Sequence, residues 1–184
     1  IGAGQAGNPL SQAFAKSGER VALIEEQYVG GTCINFGCTP TKTMIASAEV
    51  AYLANRSMDY GIDLKDVSVN MRKIVERKAD IVTSFREGGR KRIVDSGVDL
   101  IFGKPSFIDH KTLKVVTEKG ETLELTAEKV VIDAGGRPRI PDITGLQEVP
   151  YLTSTSIMEL GSVPEHLIVL GGGYIALEFG QMFR

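Results

Sequence analysis

The sequence predicts an α/β fold, and three patterns in it support this. A glycine turn opens a helix and is followed by a short apolar segment, residues 21–24, typical of a buried parallel strand. Segments between residues 40 and 95 then carry apolar side chains at helical spacing. From Val98 the period becomes that of strands, and a second strand and glycine turn begin after Pro164. Helices and strands that alternate in this way indicate a parallel sheet.

Composition excludes several classes of protein. The chain has 184 residues, 42% of them hydrophobic and 24% charged, as in one compact domain or slightly more. Its net charge is −2, and the basic run Arg90-Lys91-Arg92 is expected to be a solvated helix face, so nucleic acid is not expected as a partner. Without a membrane-spanning segment or a secretion signal, the chain is predicted to be cytoplasmic with no membrane partner.

The first glycine turn has the G-x-G-x-x-G pattern of a dinucleotide-binding loop, in Gly2, Gly4 and Gly7. Glycines at these positions let the backbone approach a pyrophosphate at the start of a helix. An acid about 20 residues later is expected to bond a ribose hydroxyl, and Glu25 follows Gly7 by 18 residues at the end of the predicted strand. The loop therefore predicts nucleotide binding, with a purely steric glycine turn as the alternative.

Helical segments follow in order. The first helix is expected to end at Ser17-Gly18. A glycine-rich loop, residues 30–40, leads into a helix for which Thr39-Pro40 can serve as cap and first turn. A long amphipathic helix is expected from Met71, with an interruption at Gly88-Gly89.

The segment after Val98 is expected to form a small β-meander, with Lys119-Gly120 turning its middle pair of strands. The predicted strands are residues 99–102, 113–117, 122–125 and 129–132. A further strand, residues 166–170, runs into a second dinucleotide pattern. That pattern occupies Gly171, Gly173 and Ala176. Two such loops in one chain predict two dinucleotides.

The only two cysteines are Cys33 and Cys38. A zinc site needs about four ligands, and the two histidines, His110 and His166, are distant in sequence, so no metal site is expected. In an ideal helix, Cα atoms five residues apart are about 8.6 Å distant, beyond the limit of about 7 Å for a disulfide. A bridge would need a distorted helix, which Gly37 permits.

The helix that begins near Thr39 would stabilise a Cys38 thiolate through its dipole. A redox pair close to a dinucleotide would also have an electron source. We therefore predict a reversible disulfide, with two buried structural thiols as the alternative.

The motifs together resemble the class I flavoprotein disulfide reductases, also called pyridine nucleotide-disulfide oxidoreductases. The resemblance rests on Gly30-Gly31-Thr32-Cys33, Gly37-Cys38 and Pro40-Thr41-Lys42. It covers essentially the whole chain in the family's order of motifs. It implies a Rossmann-like FAD-binding domain over residues 1–160, with three-layer β-β-α character and a small meander. Residues 161–184 would begin a second Rossmann-like domain that binds NAD(P)H.

The resemblance implies that NADH or NADPH reduces FAD, which then reduces the Cys33–Cys38 disulfide. Cys38 would face the flavin and Cys33 would exchange with substrate. Lys42 takes the place of the family lysine near the flavin, with Glu178 as its acidic partner, and a cation there would stabilise electron density entering the ring.

Other positions match the family's cofactor motifs. Tyr174 matches a tyrosine that gates the nicotinamide pocket, with ordinary packing as the alternative. Gly103 resembles a glycine near the adenine, or is a plain turn glycine. The segment from Asp133 to Pro138 resembles the second FAD motif, with Ala134 in place of the usual threonine and Gly135 retained. Gly31 and Thr32 belong to the FAD-binding set.

The family's His-Glu acid-base pair and the residues that distinguish NADH from NADPH have no match here, and the chain is expected to be cut at both ends. The central strand of the FAD sheet is expected before Ile1, and its absence would leave an unpaired hydrophobic slot. The segment Thr39 to Met44 looks most similar to mercuric-reductase-like chains, then to dihydrolipoamide dehydrogenases. The full-length enzyme is expected to be a homodimer acting on a small disulfide or a metal ion. A non-catalytic dinucleotide-binding module, or a flavoprotein oxidase without disulfide turnover, is the alternative.

Overall fold

The computed structural model describes all residues, 1–184, and divides them into two compact units. The first unit comprises residues 1–35 and 83–137, and the second comprises residues 36–82 and 138–184. The helices are α1 (Gly7–Lys16), α2 (Gly31–Phe36), α3 (Cys38–Asn55), α4 (Met71–Asp95) and α5 (Tyr174–Phe183). The strands are β1 (Ala22–Glu25), β2 (Asp99–Asp109), β3 (Thr112–Thr117) and β4 (Thr122–Thr126). Short 3-10 turns lie at Ser57–Tyr60, Leu146–Glu148 and Ser156–Glu159.

The first unit is built on one four-stranded sheet in the order β1-β2-β3-β4. β1 pairs with β2 in parallel, and β2, β3 and β4 form an antiparallel meander. The long strand β2 changes partner along its length: Phe102 is the last residue paired with β1, and Gly103 is the first paired with β3. A Cβ on Gly103 would lie 2.6 Å from the carbonyl oxygen of Val116, so the change of partner requires glycine. The predicted α/β fold and the meander are confirmed.

Two apolar clusters hold the first unit together. One packs α1, β1 and α4 around Ala3, Leu23 and Ile93. The other joins Ile24 to Leu113 and Val115 of β3. Full burial of a valine, leucine or isoleucine side chain contributes about 1.5–3 kcal/mol, so the first cluster fixes the sheet against α1 and α4 and the second joins β1 to the meander.

β1 pairs with β2 along one edge, and its other edge has few backbone partners. Gly2 donates to the carbonyl oxygen of Ile24, and Ile1 is bonded to residues 131 and 133. Beside these contacts lies an open groove of about 940 Å³ whose apolar walls include Leu23, Val130 and Val131.

Two predicted strands do not form. Residues 129–132 form no strand, although the Val131 carbonyl oxygen accepts from the N-terminal amine of Ile1, and residues 166–170 have no neighbouring strand. Ile168 and Leu170 are 76% and 66% exposed. Their apolar sequences are suited to a buried strand, but a strand needs the backbone of another strand to satisfy its N–H and C=O groups.

The predicted loop over residues 30–40 is largely helical. α2 ends at Phe36, Gly37 has non-helical angles (φ −134°, ψ −115°), and α3 begins at Cys38. Thr39-Pro40 therefore lies within the first turn of α3 rather than at its cap. The distortion that Gly37 permits is present, since Gly37 separates α2 from α3.

The predicted long helix is α4, which continues through Gly88-Gly89 without a break. His110 lies exposed in the turn between β2 and β3, and its hydrogen bonds to Asp109 lower the pKa of that carboxyl group.

The second unit contains no strand and is held by a methionine-rich core. The core side chains are Met44, Met71, Ile157, Met158 and Phe179, which come from α3, α4, α5 and the turn Ser156–Glu159. Lys78 of α4 is buried beside them and donates to the carbonyl oxygen of Met158. None of the helices combines the length and the apolar composition that crossing a lipid bilayer requires.

Candidate nucleotide and thiol site

The glycine loop in the first unit is tightly packed, and its glycines are required by close approach of the backbone. Gly2 has φ +95°, and a Cβ there would lie 2.0 Å from the carbonyl oxygen of Asp133. A Cβ on Gly7 would lie 1.9 Å from the carbonyl oxygen of Gly2. Neither position tolerates a side chain without a shift of the backbone.

Three backbone N–H groups of this loop, those of Gly4, Gln5 and Ala6, donate to no acceptor of the chain. They directly precede α1, a helix of ten residues whose dipole favours negative charge at this end. Exposed N–H donors at the start of a helix are the groups that bind phosphate oxygens in dinucleotide sites. The loop therefore fits the pyrophosphate of a dinucleotide such as FAD.

Glu25 lies at the end of β1, beside the loop. Its carboxylate accepts from the N–H of Ala3 at 2.8 Å, and from the N–H groups of Gln27 and Tyr28 at 2.8 and 3.2 Å. A carboxylate has about four lone-pair positions, so one remains for a ribose hydroxyl. The predicted ribose acid is thus in the expected place, already oriented by backbone donors.

Asp133 closes the loop, although its motif predicted only Ala134 and Gly135 as binding residues. Its Oδ2 accepts from the N–H of Gly7 at 2.8 Å, and a Cβ on Gly4 would lie 2.9 Å from the same oxygen. The available signal was its place in the second FAD-like motif.

The second FAD-like motif and the cysteine motif also meet the loop region within the first unit. Gly31 has φ +58°, and a Cβ there would lie 2.7 Å from the Cα of Gly4. Gly135 has φ +66°, with the Thr32 hydroxyl 3.9 Å from where its Cβ would be. The first unit thus brings together most of the residues predicted to bind FAD. These are Gly2, Gly4, Gly7, Glu25, Gly31, Thr32 and Gly135.

Two other residues predicted to bind FAD directly follow residues that contact this site. Ala134 is exposed directly after Asp133. Gly103 is buried within β2, next to Phe102, whose backbone pairs with Glu25. It is therefore not a turn glycine.

Cys33 and Cys38 lie on different helices. Cys33 is half-buried on α2, and Cys38 is exposed as the first residue of α3, a helix of 18 residues. Cys38 therefore lies at the positive end of the α3 dipole.

In the second unit, Lys42 and Glu178 form an ion pair although 136 residues separate them. Lys42 lies on α3 and Glu178 on α5, and their side chains are 60% and 31% exposed. An exposed pair of this kind contributes little to stability. The pairing expected for these two residues is present in the structure.

The second glycine loop leads into α5. Gly171 has φ +105°, Gly173 is the extended residue before the helix, and a Cβ on either would meet nothing within 4 Å. Tyr174 is the first residue of α5 and is 75% exposed. These residues face open space, as a binding surface would.

The chain matches known proteins along its whole length. It is 39% identical to the mercuric reductase of Staphylococcus aureus and 32% identical to the dihydrolipoyl dehydrogenase of Chlamydia muridarum, covering 33% and 40% of those proteins. The solved structure of the HOCl-induced flavoprotein disulfide reductase RclA from Escherichia coli, a Cu(II) complex, matches with a TM-score of 0.85 at 36% identity. That match covers all of this chain and 38% of the RclA chain.

The chain therefore spans about a third of the length of the relatives it matches. The model of the pyridine nucleotide-disulphide oxidoreductases matches residues 1–184. The resemblance in the motifs is confirmed, and the chain belongs to the pyridine nucleotide-disulphide oxidoreductase family.

Proposed function

We propose that this chain is part of an FAD-dependent enzyme that uses NADH or NADPH to reduce a disulfide or a metal ion by way of Cys33 and Cys38. One observation carries the proposal: the helix with Cys33 begins at Gly31, and Gly31 packs directly on Gly4 of the glycine loop. A thiol is thus placed next to a loop that presents unsatisfied N–H donors.

The residues proposed to hold FAD are those around that loop. The N–H groups of Gly4, Gln5 and Ala6 would bond the pyrophosphate, and Glu25 would accept from a ribose hydroxyl. Gly103, Ala134 and the pair Thr32 and Gly135 are proposed to line the rest of the cofactor site. The chemistry that bound FAD supplies is two-electron transfer from a reduced nicotinamide to the disulfide.

The cysteines would act by thiol–disulfide exchange. In the reduced pair, the Cys33 thiolate attacks one sulfur of the substrate disulfide, and the first substrate thiol leaves. Cys38 then attacks the Cys33 sulfur, which releases the second thiol and re-forms the Cys33–Cys38 disulfide. Two electrons pass to the substrate in each cycle, and two protons are taken up by the products.

Lys42 and Glu178 are proposed to support the flavin. The ion pair holds the ammonium group in one place, and a fixed cation stabilises negative charge that develops nearby. Gly171, Gly173 and Tyr174 are proposed to receive the nicotinamide dinucleotide, with residues 1–160 and 161–184 belonging to the two cofactor domains.

The substrate is proposed to be a thiophilic metal ion or a small disulfide. The metal ion is favoured because mercuric reductases are among the relatives at 39% and 38% identity. We propose that the full-length enzyme is a homodimer. We also propose that it is cytoplasmic, since a dithiol that is cycled by NAD(P)H operates in a reducing compartment.

The deciding experiment is anaerobic titration of the purified full-length protein with NADH and with NADPH. A long-wavelength charge-transfer band should appear if a Cys38 thiolate lies against the flavin. Cys38→Ser should abolish the band, whereas the matched variant Cys33→Ser should retain it and lose turnover. Hg(II), lipoamide and glutathione disulfide would then be compared as oxidants of the nicotinamide.

Other results would favour the alternatives. Flavin bleaching with no such band, and oxygen as the only acceptor, would indicate an oxidase. A protein that holds no flavin and does not oxidise NADH or NADPH would indicate a binding module without turnover.

A further inference from the structure

Arg86 of α4 contacts one side chain on the helix that carries Cys33 and one side chain just before that helix. Its Nε donates to Oδ1 of Asn35 at 2.9 Å. Its guanidinium carbon lies 3.8 Å from the centre of the Tyr28 ring, a cation–π stack. The stack and the directional hydrogen bond together hold the guanidinium in one position.

The amide of Asn35 is fixed on its other side as well. Its Nδ2 donates to the carbonyl oxygens of Val29 at 3.1 Å and of Gly31 at 2.9 Å, and the side chain is buried, with 7% exposed. A flipped amide would set its oxygen against two carbonyls and its nitrogen against a guanidinium. Only one orientation satisfies all the bonds, and Arg86 supplies the donor to the amide oxygen.

These bonds determine the position of α2. The helix has six residues, too few to be stable in isolation, so its position depends on contacts beyond its own backbone. Asn35 lies near its end and bonds back to the turn at its start, which packs on Gly4. Cys33 lies between these two anchored ends.

We propose that Arg86 is a positioning residue for Cys33. By bonding the Asn35 amide oxygen, it holds α2 closed on the glycine loop and presents the half-buried sulfur in one geometry for exchange. The benefit to catalysis rests on the proposed function of the cysteine pair, whereas the positioning itself concerns the thiol alone.

The test measures how fast iodoacetamide alkylates Cys33 in the full-length protein. Cys38→Ser leaves Cys33 as the one cysteine of this segment, and mass spectrometry of its peptide excludes cysteines elsewhere. Arg86→Met should raise the alkylation rate of Cys33 about fivefold or more, because α2 then opens locally and exposes the sulfur. Arg86→Lys keeps a donor and a cation and should restore much of the slow rate.

The matched control is Arg90→Met, one turn further along α4, where the guanidinium lies 5.5 Å from the centre of the Phe102 ring. Its alkylation rate should stay within about twofold of the parent. In an Asn35→Ala background, Arg86→Met should add less than about twofold, because the two residues act through one bond. Full additivity would show that Arg86 does not act through Asn35.

A merely structural role gives a different pattern. Arg86→Met would then lower the unfolding midpoint while the Cys33 rate stayed unchanged, which overturns the proposal. If Arg86→Met does not fold, an unchanged Cys33 alkylation rate in the Asn35→Ala variant overturns it equally.

The proposed function is tested by a separate measurement of turnover, in protein that retains both cysteines. There, Arg86→Met should slow disulfide or metal-ion turnover but leave the rate of flavin reduction by NAD(P)H unchanged. Absence of turnover in the parent protein, with the alkylation pattern intact, would refute the function and leave the positioning in place. Turnover in the parent protein, together with an unchanged Cys33 alkylation rate in Arg86→Met, would support the function and refute the positioning.

Discussion

The carboxylate of Asp133 bonds the N–H of Gly7 across 126 residues of sequence, at 2.8 Å. The bond joins the end of the dinucleotide-like loop to the segment that follows β4, and it lies at the start of α1. A negative charge there is stabilised by the helix dipole as well as by the hydrogen bond.

Loss of this carboxylate should destabilise the first unit. We expect Asp133→Ala to cost about 1.5–3 kcal/mol, the usual contribution of a hydrogen bond to a charged group. Asp133→Asn keeps an oxygen that can accept from Gly7 and should cost less. Urea unfolding of both variants measures the difference, and equal losses would show that the bond to Gly7 is not the cause.

A second prediction concerns the contact between the cysteine turn and the glycine loop. Gly31 and Gly18 both have positive φ, but only at Gly31 would a Cβ meet another atom, the Cα of Gly4 at 2.7 Å. Both alanine variants incur the backbone strain, and Gly31→Ala should cost about 1–3 kcal/mol more than Gly18→Ala. It should also reduce the FAD that copurifies. Similar unfolding midpoints for the two variants would contradict the close packing.

The elements that could be predicted from sequence are those specified by local pattern. β1, α4 and the turn at Lys119-Gly120 formed where apolar period and glycine indicated them. Residues 166–170 have an equally apolar sequence but did not form a strand, because pairing depends on a partner that the local sequence does not contain.

The residues of the candidate site also differ in whether the local sequence predicts them. Gly2 and Glu25 could be found because a known motif fixes their spacing. Arg86 could not, because it acts through a bond to a residue 51 positions away, and for Asp133 the motif indicated its place but not its bond to Gly7, 126 positions away. Lys78 did leave a signal: it lies four residues after Ile74 and four before Val82, on the apolar stripe of α4.

A third prediction separates stability from activity at the ion pair of Lys42 and Glu178. The Lys42 side chain is 60% exposed, so Lys42→Met should change the free energy of unfolding by less than about 1 kcal/mol. If the cation supports electron transfer as proposed, turnover should fall about 100-fold. Lys91→Met, which removes an exposed lysine paired with Asp95, is the matched control and should leave turnover unchanged. Equal turnover in the two variants would exclude a role for Lys42 at the flavin.

The last prediction concerns Lys78, whose side chain is 6% exposed and donates to the carbonyl oxygen of Met158 and to Glu159. Glu159 is 63% exposed, so water can replace the ammonium as its partner, whereas the Met158 carbonyl would lose its side-chain donor. Lys78→Met fills similar volume and should therefore cost about 1–3 kcal/mol, because a buried acceptor is left without that bond.

Glu159→Gln tests the other half of the contact, because its amide oxygen can still accept from the Lys78 ammonium. It should change stability by less than about 1 kcal/mol, as expected for an exposed pair. Urea unfolding of the two variants compares the costs directly. A larger loss in Glu159→Gln than in Lys78→Met would mean that the ion pair, rather than the bond to the carbonyl, holds the turn Ser156–Glu159 against α4.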